Sequence, residues 1–141
     1  MYKRQAQGLA PRAVNEQTGD VTDENGVIIG RWESGIWDYR GIAESYLDPS
    51  DPTQASKPGY VRGWDEAAAT PYLYSATDGI WFSYDDAQSV RIKTQYVQDN
   101  GYRGVIVWDT TLDDCQDTLA KAVNEGLGRT VANPPPGGCR P

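Results

Sequence analysis

Apolar positions in this chain change period several times, and each change marks an element. Ala87, Val90, Thr94 and Val97 form one stripe at helical spacing, predicting a helix over 86–99. Asp85 is its expected N-cap, with Gln88 three residues on, and Asn100-Gly101 its left-handed stop. Gly104-Val105-Ile106-Val107-Trp108 is a continuous apolar run, the pattern of a parallel strand buried on both faces. A short apolar strand following a helix of that length predicts a parallel βαβ crossover. Upstream, Tyr60–Trp64, Tyr72–Tyr74 and Ile80–Tyr84 read as strands, the last two joined through Thr77-Asp78-Gly79 as a hairpin. Leu119, Ala122 and Val123 share a face of a last helix over about 114–126.

The first half is less periodic. Residues 6–30 read as irregular, with a turn at Asn25-Gly26 and a short strand from Val27 to Gly30. Residues 35–39 alternate as a strand would. Ile42/Tyr46 and Ala43/Leu47 then give a helical turn over 40–47. Residues 48–59 (DPSDPTQASKPG) read as a loop, and the end of the chain, NPPPGGCRP, as a linker or tail. Asp20 and Asp23 have the first spacing of a calcium loop without its downstream ligand, so a solvated turn is expected there.

Composition narrows the chemistry. The 141 residues suffice for one ordinary domain with a core. A net charge of −7 and a pI of about 4.5 disfavour nucleic acid as a partner and favour a neutral one. There is no histidine, which excludes His-based triads and His metal sites. No metal or other cofactor is expected. No apolar run approaches membrane-spanning length. Five Trp and nine Tyr against one Phe suit a wet binding cleft as well as ordinary strand packing. Cys115 and Cys139 fit either one disulfide, tying the tail to the last helix in an oxidising compartment, or two unpaired thiols. Asp85-Asp86 and Asp113-Asp114 could be read as catalytic carboxylate pairs; helix caps are the expected role of both. Tyr72, Tyr74, Trp81 and Tyr84 are expected to divide between sheet packing and surface rather than form a sugar-stacking row.

Four blocks, in order, carry a resemblance. They are GRWESGIWDY (30–39), YVRGWDEAAATPYLYS (60–75), WFSYDDAQS (81–89) and GYRGVIVWDTTLDD (101–114). Together they resemble the C-terminal part of glycoside hydrolase family 18, the chitinase family, over roughly residues 28–127. The resemblance implies an α+β insertion domain followed by the last βαβα piece of a (β/α)8 TIM barrel, in a truncated fragment. Residues 6–65 correspond to most of the insertion domain. Residues 66–128 correspond to the C-terminal barrel segment, with 80–84 as strand seven and 104–108 as strand eight; 129–141 is the tail. Met1–Gln5 resembles the translated end of a sequencing adaptor, so these residues are expected to be an artefact.

The same resemblance implies chitin or a chitooligosaccharide as the partner, a secreted monomeric protein, and a groove in which Trp108 is the floor under the reacting sugar. Tyr39 and Asp38 are implied to be substrate contacts beside it. Active sites of such barrels lie at the C-terminal ends of strands, where a flat aromatic can stack on a pyranose. The family's D-x-x-D-x-D-x-E signature does not occur in this sequence, so no catalytic residue is expected in the chain. The family's substrate-assisted retaining mechanism needs the glutamate of that signature as its acid. Arg40 stands where many members carry a glutamate after two tyrosines. Competing readings are a non-catalytic chitin-binding module or lectin, and a purely structural interaction domain.

Overall fold

The computed structural model describes residues 13–15, 19–108 and 110–130. Residues 1–5, the Pro-rich segment from 131 onward and Cys139 lie outside the described residues. Every strand pairing among the described residues is antiparallel. A small meander comes first: β1 (Ala13–Val14), β2 (Asp20–Thr22), β3 (Ile28–Arg31) and β4 (Glu33–Ser34), paired in that order. The turn at Asn25-Gly26 forms as expected, and the Asp23 carboxylate holds it by accepting the N–H groups of Asn25 (2.8 Å) and Val27 (2.9 Å). That is the solvated-turn role. Asp20 instead accepts from Arg31 at 2.7 Å.

Helix α1 (Tyr39–Tyr46) follows. Residues 35–38 are not a strand. The alternation there is broken by Asp38, which caps α1 by accepting the Gly41 N–H at 2.6 Å. A hairpin of β5 (Leu47–Asp48) and β6 (Asp51–Ala55) comes next, where a loop was expected. β5 is only two residues long, with Leu47 in the core, and β6 is polar and largely exposed, so no apolar alternation marks them. Asp48 and Asp51 bend the turn by accepting from Ser50 and Thr53.

The main sheet is β7 (Val61–Asp65), β8 (Thr70–Ser75) and β9 (Ile80–Ser83), in that order. The expected hairpin is present, with Leu73 opposite Phe82 and Tyr74 opposite Trp81. The boundary expected between 65 and 66 falls at the turn joining β7 to β8. Pro71, Leu73 and Ser75 point into the core, while Tyr72 and Tyr74 take the other face. Tyr84 is buried and Trp81 half exposed, so the four aromatics divide as expected.

The core lies between α1 and this sheet. Tyr39, Ile42, Tyr46, Leu47, Tyr60, Leu73 and Tyr84 are buried together. Tyr46 is the hub: its ring meets those of Trp37 (5.1 Å), Tyr60 (5.0 Å) and Phe82 (5.3 Å) edge-on, the favoured arrangement for aromatic quadrupoles.

Helix α2 (Ala87–Asp99) is capped by Asp86, one residue later than expected. Ser89, not Gln88, completes the capping box. Its N–H donates to Asp86 Oδ1 at 2.8 Å, and its hydroxyl accepts the Asp86 N–H at 3.0 Å. Gly101 stops the helix at φ +65°. Helix α3 (Thr118–Gly126) begins four residues later than expected, yet Asp113 and Asp114 still serve it. Asp114 accepts from Thr118 N (2.9 Å), and Asp113 accepts from Leu119 N (3.1 Å) and Ala120 N (2.8 Å). α2 and α3 pack closely because Gly126 has no side chain. A Cβ there would collide with the buried Thr94 hydroxyl.

Residues 104–108 are the main departure. They are not a strand, and no described strand pairs with them. Their expected parallel partner, β9, is the third strand of an antiparallel sheet. The crossover therefore does not form among the described residues. An apolar run needs hydrogen-bonded neighbours to become a strand, and here Ile106 is 96% exposed.

Candidate functional site

A cavity of about 990 Å³ is bounded by α1, the main sheet, the segment 105–108 and the turn beyond it. Asp38, Tyr39 and Trp108 all line it, although 69 residues separate Tyr39 from Trp108 in the sequence. Trp37, Trp81 and Asp113 line it too. The three residues expected at the site thus line one cavity, in different states.

Trp108 is 82% exposed at the end of the apolar run, with its indole open to solvent. A large flat apolar ring in that state is a ready stacking surface. Tyr39 is buried. Burial above all, then the carboxylates of Asp114 and Asp86, the Tyr84 ring hydroxyl and Asp113, push its hydroxyl well above the usual tyrosine range. It therefore stays a neutral hydrogen-bond donor at any physiological pH. Asp38 is already occupied. Its Oδ1 takes the Gly41 N–H at 2.6 Å and faces Arg31 Nε at 3.6 Å. Asp38 thereby starts α1, whose first residue is Tyr39.

The other carboxylates around the cavity have structural work as well. Asp85 pairs with Lys93 at 2.5 Å, Asp65 accepts from Ala67 and Ala68, and Asp113 accepts from the start of α3. Asp86 thus caps α2, Asp113 and Asp114 serve the start of α3, and Asp85 is held by Lys93 and the Ser89 hydroxyl. Among the described residues, no three Asp, Glu, Cys or His side chains converge to hold a metal ion.

Two groups were missed by reading the sequence. The first is a buried network behind the wall. Arg62 donates to Asp86 Oδ2 at 2.5 Å and to the Tyr84 hydroxyl at 3.1 Å, tying β7 to the cap of α2. Burial works against the Arg62 charge, but Tyr84 and Asp86 outweigh it and hold its pKa above the usual value. The second is Arg40, which reaches from α1 to the turn after Trp108. Neither is marked by local spacing, because the partners are 22 to 73 residues apart. Cys115, just beyond that turn, is disulfide-bonded.

Residues 3–113 match the family described as glycosyl hydrolases family 18. The chain belongs to this family. Among family 18 relatives, chitinase A1 of Niallia circulans is 36% identical over 81% of this chain and 15% of its own length. Chitinase 1 of Yersinia entomophaga is 32% identical over 82% of this chain and 20% of its own. The crystal structure of the chitinase Chi1 of the Yersinia entomophaga toxin complex superposes with a TM-score of 0.66. It is 32% identical and covers 79% of this chain and 21% of that one. The chitinase RmChi1 of Rhizomucor miehei gives a TM-score of 0.58 at 29% identity, covering 79% of this chain and 28% of that one. This chain therefore spans 15% and 20% of the length of the first two relatives, so most of a family 18 enzyme has no counterpart in it. Among the described residues, no helix is long and apolar enough to cross a membrane.

Proposed function

We propose that the chain forms part of the sugar groove of a chitinase that hydrolyses β-1,4 links between N-acetylglucosamine units. In this reading Trp108 is the floor beneath the reacting sugar, Tyr39 stands beside it as a neutral donor, and Asp38 fixes Tyr39 by capping α1. The observation that carries the reading is the state of Trp108. An indole left 82% exposed at the end of an apolar run, on the same cavity as Tyr39, has the area and position to stack on a pyranose face.

Catalysis by the N-acetyl carbonyl of the substrate needs an acid from the enzyme. The chain lacks the D-x-x-D-x-D-x-E signature, so in this reading the acid glutamate belongs to a part of the enzyme with no counterpart in this chain. The exposed apolar segment 105–108 then becomes the closing strand of a barrel, covered by strands from that part. The disulfide at Cys115, with Cys139 the partner we infer, fits a secreted enzyme.

The test is a Trp108→Ala change in the complete enzyme carrying this chain. Truncating a buried aromatic anchor costs about 2 kcal/mol or more, so affinity for an N-acetylglucosamine oligomer should fall roughly 30-fold or further. Unchanged affinity would refute the role of Trp108.

A further inference from the structure

We propose that Arg40 is a positioning residue that sets the place of Trp108 relative to Tyr39, and so the width of the groove; this deepens the sugar-groove reading and rests on it. Arg40 is the second residue of α1, next to Tyr39. Its Nε donates to the Asp113 carbonyl and its Nη2 to the Thr111 carbonyl, each at 3.4 Å. Those carbonyls lie on the turn around the 3-10 helix Thr110–Leu112, which begins two residues after Trp108. A guanidinium is suited to this because its planar fork can hold two acceptors at a fixed separation.

The turn is held from its other side as well. The Asp113 carboxylate takes the Leu119 and Ala120 N–H groups of α3. Arg40 is therefore the arm that joins the turn to α1, the element carrying the opposite wall. Among the described residues, 102–107 belong to no helix or strand, and the two Arg40 bonds tie the turn that follows Trp108 to α1. A lysine at 40 would keep the charge but satisfy one carbonyl at a time.

The experiment uses the full 141-residue chain labelled with 5-fluorotryptophan, which gives five fluorine signals, one for each Trp. Trp108→Phe assigns the signal of interest. Arg40→Ala should move the Trp108 signal while those of Trp32 and Trp64 stay in place. Arg40→Lys should move it less. Arg91→Ala, which removes an arginine far from the turn, should leave it alone. In the complete enzyme carrying this chain, titration with the N-acetylglucosamine tetramer should show affinity weakened roughly tenfold in Arg40→Ala, with part restored in Arg40→Lys.

A Trp108 signal that Arg40→Ala and Arg40→Lys both leave in place overturns the proposal. So does an equal movement of all five signals, which would report general loosening. If Trp108→Ala leaves the tetramer affinity of the complete enzyme unchanged, the sugar-floor reading falls. The response of the Trp108 signal to Arg40→Ala still decides whether Arg40 holds the turn.

Discussion

Apolar side chains in two stretches of this chain meet opposite fates. Between Tyr39 and Tyr84, aromatic and aliphatic side chains close into a core, with Leu73 and Leu47 at 0% and 2% exposure. Between Val105 and Trp108, the side chains stay in solvent, with Ile106 at 96%. The difference lies in where each stretch finds its neighbours. The first is built from hairpins and one short helix, so every strand has a partner within about twenty residues. The second has the composition of a strand covered on both faces, and parallel partners come only through long crossovers. An apolar run states that burial is required, not that the burying surface is nearby. On the proposed sugar-groove reading, the strands that would cover this run lie in the part of the enzyme this chain does not span.

The largest expected effect breaks the comparison directly. Leu73→Ala removes a fully buried side chain from the closed region and should cost about 2–5 kcal/mol, read as a lowered urea midpoint at unchanged slope. Ile106→Ala in the same chain should change stability by less than about 0.5 kcal/mol, because there is no burial to lose. In the complete enzyme, Ile106→Ala should behave like Leu73→Ala. An Ile106→Ala variant that is neutral there too would show that the segment is never covered.

The same contrast explains what could be read from the sequence. Elements whose signals are local were legible: the Asn25-Gly26 turn, the hairpin over 72–84, and the stripe and stop of α2. Boundaries slipped where neighbouring residues compete for one job. Asp85 and Asp86 can both cap, and the choice fell on Asp86 because Arg62 and Ser89 hold its side chain. The hairpin over 47–55 was invisible because β5 is two residues long, β6 is polar, and its turn is made by aspartate side chains. At the site, spacing alone leaves Trp108 indistinguishable from a core tryptophan; the four resemblance blocks singled it out. Asp38 lines the cavity and also caps α1, a role its spacing did not mark. Arg40 could not be found, since its partners lie 71 and 73 residues away.

Alkali acts on the closed core. Burial, aided by Asp78 and opposed by Tyr60, pushes Tyr46 up to about 12. Burial also pushes Tyr84 up to about 12, against the pull of Arg62 and with a push from Asp86. The unfolded chain ionises these groups near 10.0. Each therefore contributes stability that is fully present below pH 10, and this contribution is lost as the pH rises toward about 12. Unfolding followed across that window should show a steep decline. Tyr46→Phe cannot ionise, so it should make the decline shallower while leaving the segment 102–108 as it is. An equally steep decline in Tyr46→Phe would mean that other groups set the alkaline limit.

The smallest expected effect concerns the two helices that flank the uncovered segment. α2 and α3 meet at the Thr94–Gly126 contact, and Arg91 also reaches across to Glu125, with Nη2 at 2.8 Å and Nε at 3.1 Å from one carboxylate oxygen. Both side chains are about half exposed, so water and salt screen the pair. A forked pair of this kind is worth about 0.2–1 kcal/mol, far less than the close packing beside it. A double-mutant cycle of Arg91→Ala and Glu125→Ala should return a coupling in that range and lose most of it in molar salt. A coupling of several kcal/mol that survives salt would place the pair in a dry environment. The uncovered segment would then have neighbours that shield it, and the contrast between the two regions would be weaker than their exposures indicate.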